Sequence, residues 1–242
     1  MDTTPEPVSS SPALTPADLA EGDLDLLGLL PGSSNYTFLA RLGDAGSLVV
    51  YKPRRGESPL WDFPSGTLCQ RETAAYLVCT AAGWSYVPPT VLRDGPHGIG
   101  MVQQFIEHDP KFHALNLTPE HDLELKEIAL FDLIINNADR KGGHVLRDID
   151  NRLWAIDHGV CFHVEPKLRT VLWDYIGDPI PLDALDAIKL LRKTVEAESA
   201  GQLGELLFPE EIESMMFRAD KLLVEKVFPQ PGPGRPYPWP PI

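Results

Sequence analysis

The side chains best placed to do chemistry fall between residues 136 and 159. Asn136-Asn137-Ala138-Asp139-Arg140-Lys141-Gly142-Gly143-His144 is followed a few residues later by Leu153-Trp154-Ala155-Ile156-Asp157-His158-Gly159. An apolar run ends just before the Asp-Arg pair, a strand follows, and a second strand delivers Asp157 at its end. Asp139 and Asp157 are thus two carboxylates separated by a tight hairpin. That spacing suits phosphoryl transfer, in which one acid orients a hydroxyl and takes its proton while the other holds a magnesium-phosphate. Each acid also has a plainer reading. Asp139 can be a turn carboxylate steadied by Arg140, and Asp157 a strand-ending Asx turn. Together they favour the chemical reading.

Lys52 is the cation that such a site needs. It shares a strand face with Leu48 and Val50 by the period of two, and an ammonium on an apolar face is expensive unless it snorkels or finds a partner. Glu72, on the next helix, is the expected partner. Ser33 and Ser34, in the turn Leu30-Pro31-Gly32-Ser33-Ser34-Asn35-Tyr36, offer hydroxyls and amides that would cover phosphates, although a plain hairpin approach fits them equally well. The chain has neither a GxGxxG stretch nor a Walker A sequence, which removes support for a Rossmann enzyme or a P-loop NTPase. His144, His158 and His163 beside Asp157 raise the alternative of a zinc site, but their spacing matches no zinc motif.

The elements that must carry these groups are legible. Tyr36–Arg41 and Leu48–Lys52 read as an antiparallel hairpin. Residues 54 to 67 read as a loop, 68 to 83 as a helix, and Thr90–Arg93 and Ile99–Ile106 as further strands. Residues 120 to 136 form a helix apolar on most sides, which marks a central one. Helices are expected near 182 to 199 and 210 to 227. The expected class is therefore α+β and two-lobed: an N-terminal antiparallel sheet with an inserted helix, then a mainly helical C-terminal lobe with a catalytic hairpin. The divisions are a disordered segment at 1–18, an N-lobe at 19–105 and a C-lobe at 106–228. A tail at 229–242, with seven prolines, is expected to run extended over the surface and offers a docking segment for a protein partner.

Composition narrows the partners. Thirty-five acids against 21 lysines and arginines give a net charge of −14, which repels nucleic-acid backbones and anionic membrane. No nucleic-acid partner and no stable membrane association are expected, although a local basic patch would still admit an anionic substrate. Cys69, Cys79 and Cys161 lack metal-ligand spacing and read as reduced core residues. The N-terminus shows no basic-then-apolar leader, and no apolar run is long enough to span a bilayer. A cytoplasmic location is the expectation.

These motifs resemble the phosphatidylinositol 3-/4-kinase catalytic domain superfamily in a reduced bacterial form. In particular they look like the actinobacterial SCO1664-type family, and more distantly like the HipA-type kinases. Asn136–His144 is similar to the catalytic loop of that group, which makes Asp139 and Arg140 its Asp-Arg pair. Ile156-Asp157-His158-Gly159 resembles the metal-binding segment, Val50-Tyr51-Lys52-Pro53 the ATP-lysine strand, and Glu72 the helix glutamate. The stretch from Val102 to Ile106, with Gln103, Gln104 and Phe105, would be the interlobe hinge that holds adenine. The resemblance covers about residues 30 to 225. It implies an ATP-dependent kinase using magnesium, with a nucleotide and an unidentified phosphoacceptor as partners. One departure stands out: His144 occupies the place of the Asn that helps hold a second magnesium. Magnesium prefers oxygen, so the resemblance implies a single metal, manganese, or a catalytically weak nucleotide-binding pseudokinase with a regulatory role.

Overall fold

Alternating apolar residues in the first half produce a sheet, and long apolar runs in the second half produce helices. A computed structural model describes residues 14–32, 35–116, 119–197 and 201–242. Strands β1 (Leu24–Leu29), β2 (Phe38–Leu42), β3 (Ser47–Pro53), β4 (Thr90–Gly95) and β5 (Gly98–Gln104) form one antiparallel sheet in the order β1-β2-β3-β5-β4. Helix α2 (Leu68–Ala81) is inserted between β3 and β4. The second half contributes α3 (Asp122–Ile135), the hairpin β6 (Val145–Arg147) and β7 (Leu153–Ala155), then α4 (Leu182–Ala197), α5 (Leu203–Leu206) and α6 (Pro209–Glu225). Among the described residues, no helix is long and apolar enough to cross a membrane.

Three segments are defined by the structure more closely than by the sequence. Pro16–Ala20 forms a short helix, α1, that starts inside the 1–18 stretch read as disordered and ends in the expected N-lobe. Thr15 caps it through the Asp18 amide, and Asp18 returns the bond to the Thr15 amide. Leu19 of α1 is fully buried against the sheet, so apolar burial outweighs the Pro- and Ser-rich composition; residues 1–13 of that stretch lie outside the described residues. The acidic and Leu-rich segment that follows is an edge strand, β1, with a register shift between Leu26 and Gly28. The Pro-rich tail has no regular secondary structure, yet it is tied to its own chain. Pro236 O accepts from Thr170 N and Trp173 Nε1, and Pro241 O accepts from Gly142 N at 2.8 Å.

The main core joins α2, α3, α4, α6 and the β6–β7 hairpin, with Phe131, Ile134, Ile135, Val145 and Ala155 at or near zero exposure. Ala74, Ala75, Val78 and Cys79 of α2 belong to this core. A smaller cluster of Leu24, Ala40, Val49, Tyr51 and Val102 lies on the sheet. The three cysteines are buried and unpaired.

One glycine governs the position of Lys52. In the β3–β5 pairing, Pro53 stands opposite Gly100. A Cβ on Gly100 would lie 2.5 Å from Lys52 O and 2.7 Å from Pro53 Cα, both backbone atoms. Gly100→Ala is therefore expected to cost about 1–3 kcal/mol by overpacking and to displace the Lys52 strand. Chemical denaturation should show the loss; an unchanged denaturation midpoint would mean that the strands can separate freely here.

Candidate active site

Lys52 comes from β3, whose burial alternates. Val49, Tyr51 and Pro53 are buried, whereas Leu48, Val50 and Lys52 are more open. The face that reads as apolar in sequence is therefore the cleft side of the sheet, and the opposite face is the core side. Lys52 Nζ lies 2.6 Å from Glu72 Oε1 and 2.8 Å from Asp157 Oδ1. Burial works against the ammonium, but the two carboxylates outweigh it and hold Lys52 above the ordinary lysine range. Glu72 is buried on α2, and its second oxygen accepts from the His158 amide at 2.8 Å. Helix α2 begins where the Glu57 carboxylate accepts from the Leu68 and Cys69 amides. A negative group at that helix end satisfies otherwise unpaired donors.

The Asp139 loop is built by the end of α3. Asn136 takes a left-handed conformation, φ 56°, and closes the helix. Its side chain donates to His163 O and Glu165 O and accepts from Lys167 N, which ties down the segment after the hairpin. Asn137 donates to Asp132 Oδ1 and accepts from the Asp139 amide at 3.0 Å, fixing the loop on either side. The Asp139 carboxylate lies 3.3 Å from Lys141 Nζ. Burial raises its affinity for a proton, and Lys141 opposes this only in part. Asp139 and Asp157 line one cleft together with Lys52, Glu72 and Asn35.

Arg140 does not reach that cleft. It is fully buried, with Nε and Nη2 on the two oxygens of Asp132 at 2.8 and 3.0 Å. Its Nη1 donates to His144 O and Ile156 O, and Nη2 meets His158 Nε2 at 2.7 Å. The sequence groups Arg140 with catalytic residues; the structure makes it a positioning residue that clamps the Asp139 loop to the strand bearing Asp157. A bidentate guanidinium does this because its fork matches a carboxylate plane.

Asp157 also adopts a left-handed backbone, φ 63°, a conformation rare outside glycine, Asn and Asp and common at functional positions. Lys52 holds its carboxyl far below the usual range. Its other oxygen, Oδ2, lies 3.2 Å from His144 Nε2. Burial pushes His144 down to about 4, against the pull of Asp157, so its imidazole is neutral near pH 7. Among the described residues, no group of three or more His, Cys, Asp or Glu side chains forms a metal-ligating cluster. The donor set fits a hard cation held by one carboxylate and by substrate phosphates, as is usual for magnesium. It does not fit zinc, and His144 is placed beside the Asp157 carboxylate.

Gln103, Gln104 and Phe105 are not brought to this cleft. The Gln104 and Phe105 amides donate to Pro89 O and Leu48 O. Gln103 Nε2 donates to Thr90 Oγ1, and Gln104 Oε1 accepts from the Leu14 amide. These contacts occupy both glutamine side chains and the Gln104 and Phe105 amides. Ser33 and Ser34 lie outside the described residues. Sequence reading overlooked Asp132, Asn137 and Glu57. Asp132 had a signal: it is the single acid inside Ile-Ala-Leu-Phe-Asp-Leu-Ile-Ile, and a carboxylate in so apolar a run needs a buried partner.

The sheet, the inserted helix and the helical second half define a protein with a two-lobed, kinase-like fold. The crystal structure of CtkA, a proinflammatory kinase of Helicobacter pylori, superposes with a TM-score of 0.55 at 14% identity, covering 89% of this chain and 95% of that one. Phosphatidylinositol 4-kinase gamma 4 of Oryza sativa is 30% identical over 180 residues, 60% of this chain and 32% of the plant protein, so the chain spans about a third of that relative. No family model matches the chain. The chain belongs to the family of Protein Rv2133c of Mycobacterium tuberculosis, to which it is 41% identical over 261 aligned positions, 93% of this chain and 94% of that protein.

Proposed function

We propose that the protein is an ATP- and magnesium-dependent phosphotransferase, and that within the superfamily it is of the actinobacterial SCO1664 type. The observation that carries this reading is the meeting of Lys52, from the sheet, with Glu72 and Asp157, in a cleft that Asp139 also lines. Lys52 would hold nucleotide phosphates, Glu72 would orient Lys52, and Asp139 would position the acceptor hydroxyl and accept its proton. Asp157 would hold magnesium, which supplies charge neutralisation at the transferring phosphoryl group. The rate gain would come from alignment and electrostatics. The acceptor is a hydroxyl on a small molecule, a protein or a lipid head group. The −14 charge favours a soluble acceptor, whereas the plant relatives' name points to a phosphoinositide.

Lys52→Met tests the reading through nucleotide binding. Removing the ammonium leaves Glu72 and Asp157 facing each other without a counter-charge. Calorimetry with ATP and magnesium should show affinity falling by roughly ten- to a hundred-fold, the scale of one charge-assisted contact. No measurable ATP binding by the unaltered protein would remove the proposal altogether. A second reading, a catalytically weak nucleotide-binding regulator, is favoured by His144 lying against Asp157 Oδ2. Nucleotide binding without turnover of labelled ATP would select it.

A further inference from the structure

A second cavity shares no lining residue with the carboxylate cleft but adjoins the Asp139 loop, since its Arg169 donates to Asn137 O and accepts from Arg140 N. Its volume is about 760 Å³, and its walls are residues 164 and 166–169, part of α6, and tail residues 229, 230 and 232–236. That volume falls within the range of small-molecule sites. The tail is a built wall rather than a loose cover, because Pro236 O accepts from both Thr170 N and Trp173 Nε1.

The charge of this cavity runs against the rest of the protein. Lys167, Arg169, Arg218, Lys221 and Arg235 line it, against Glu213 and Glu225, in a chain of net charge −14. Lys167 is already paired with Asp62, and Lys221 lies 3.7 Å from Glu225. Among the described residues, Arg169, Arg218 and Arg235 form no ion pair. Arg218 donates through Nε to Ile134 O, while its Nη2 is buried with no hydrogen-bond partner. A buried guanidinium nitrogen left unpaired is costly. Arg169 acts on Asp139 from a distance and Arg235 lies over the Trp239 ring, but neither is in an ion pair, so the arginines around this cavity leave positive charge to spare, and the planar fork suits carboxylate or phosphate. Trp173, Phe217 and Leu168 supply apolar wall beside them.

We infer that this cavity binds a small anionic amphiphile, a carboxylate or phosphate carried on an apolar body, with Arg169, Arg218 and Arg235 on the anionic group. The site is independent of the phosphotransferase reading. It places the ligand against the tail that also reaches the Asp139 loop through Gly142.

Calorimetry on the full chain provides the test, with decyl phosphate kept below its micelle concentration, decyl glucoside as the uncharged counterpart, and inorganic phosphate. Decyl phosphate should bind at least about tenfold more tightly than either of the others, the scale expected when one charged partner is removed. Arg235→Glu changes an exposed tail residue, so the fold should survive; it should weaken decyl phosphate about tenfold and leave the glucoside unchanged. Asp157→Asn should leave decyl phosphate binding intact, which separates this site from the nucleotide cleft. Decyl phosphate binding no more tightly than decyl glucoside or than inorganic phosphate would overturn the inference. So would binding untouched by Arg235→Glu, displacement by ATP, or binding confined to vesicles of anionic lipid.

Discussion

Asp157→Asn is expected to lower magnesium-dependent ATP turnover by roughly a hundred- to a thousand-fold or more, the scale found when one preorganised electrostatic contact is removed from a reacting centre. The carboxylate has both oxygens engaged, one by Lys52 and one by His144. The amide keeps the shape but removes the charge, so it no longer offers a hard anionic ligand or a counter-charge to Lys52. Its side chain is 47% exposed, and Asn tolerates the left-handed conformation that Asp157 adopts. The fold should therefore persist. Labelled-ATP turnover beside a thermal melt measures both. Turnover at the original rate would remove Asp157 from the chemistry, and a collapsed melt would show that its part is structural.

The largest effect on stability is expected at Arg140. Arg140→Ala leaves Asp132 as a fully buried carboxylate without its cation and takes the Arg140 donor from the Ile156 carbonyl, while the His144 carbonyl keeps the Ile156 amide. Breaking one side of a buried pair costs about 3–5 kcal/mol, which for a chain of this size lowers the melting temperature by roughly 10 °C or more. The Asp132→Ala, Arg140→Ala double variant should lose less than the sum of the single losses, because the two residues share one interaction. Differential scanning calorimetry on the three variants tests this. Additive losses would mean that Arg140 stabilises through its carbonyl contacts and not through Asp132.

Much of this could be read from the amino-acid order because it rests on local periodicity. The hairpin of β2 and β3, the apolar α3 and the β6–β7 hairpin each announce themselves within a dozen residues. The Lys52–Glu72 pairing was also readable, since an ammonium on a strand and a carboxylate on the following helix have few other ways to meet. The face of β3 was harder to read: Leu48, Val50 and Lys52 read as apolar, but which side of a strand becomes core depends on what packs there, here α1 and its Leu19. The roles of Arg140, Asp132 and Asn137 were hidden for a similar reason. Their partners come together only when α3, the loop and the β7 strand are assembled, and no spacing along the chain encodes that. Gln103, Gln104 and Phe105 end or follow the last strand of the sheet in chain order; the partners of the Gln104 and Phe105 amides, Pro89 and Leu48, are set by long-range pairing that the local motif does not encode.

Helix α2 lies within the sheet's stretch of sequence, but its inner side is built into the main core with α3 and α4. Glu72 is further tied to the His158 amide. The outer side of α2 packs on β4 and β5, so the helix is a rivet through both layers. A sheet displaced from the core would have to break one of those packings, and the Lys52 contacts to Glu72 and Asp157 lie on the seam that the rivet holds shut.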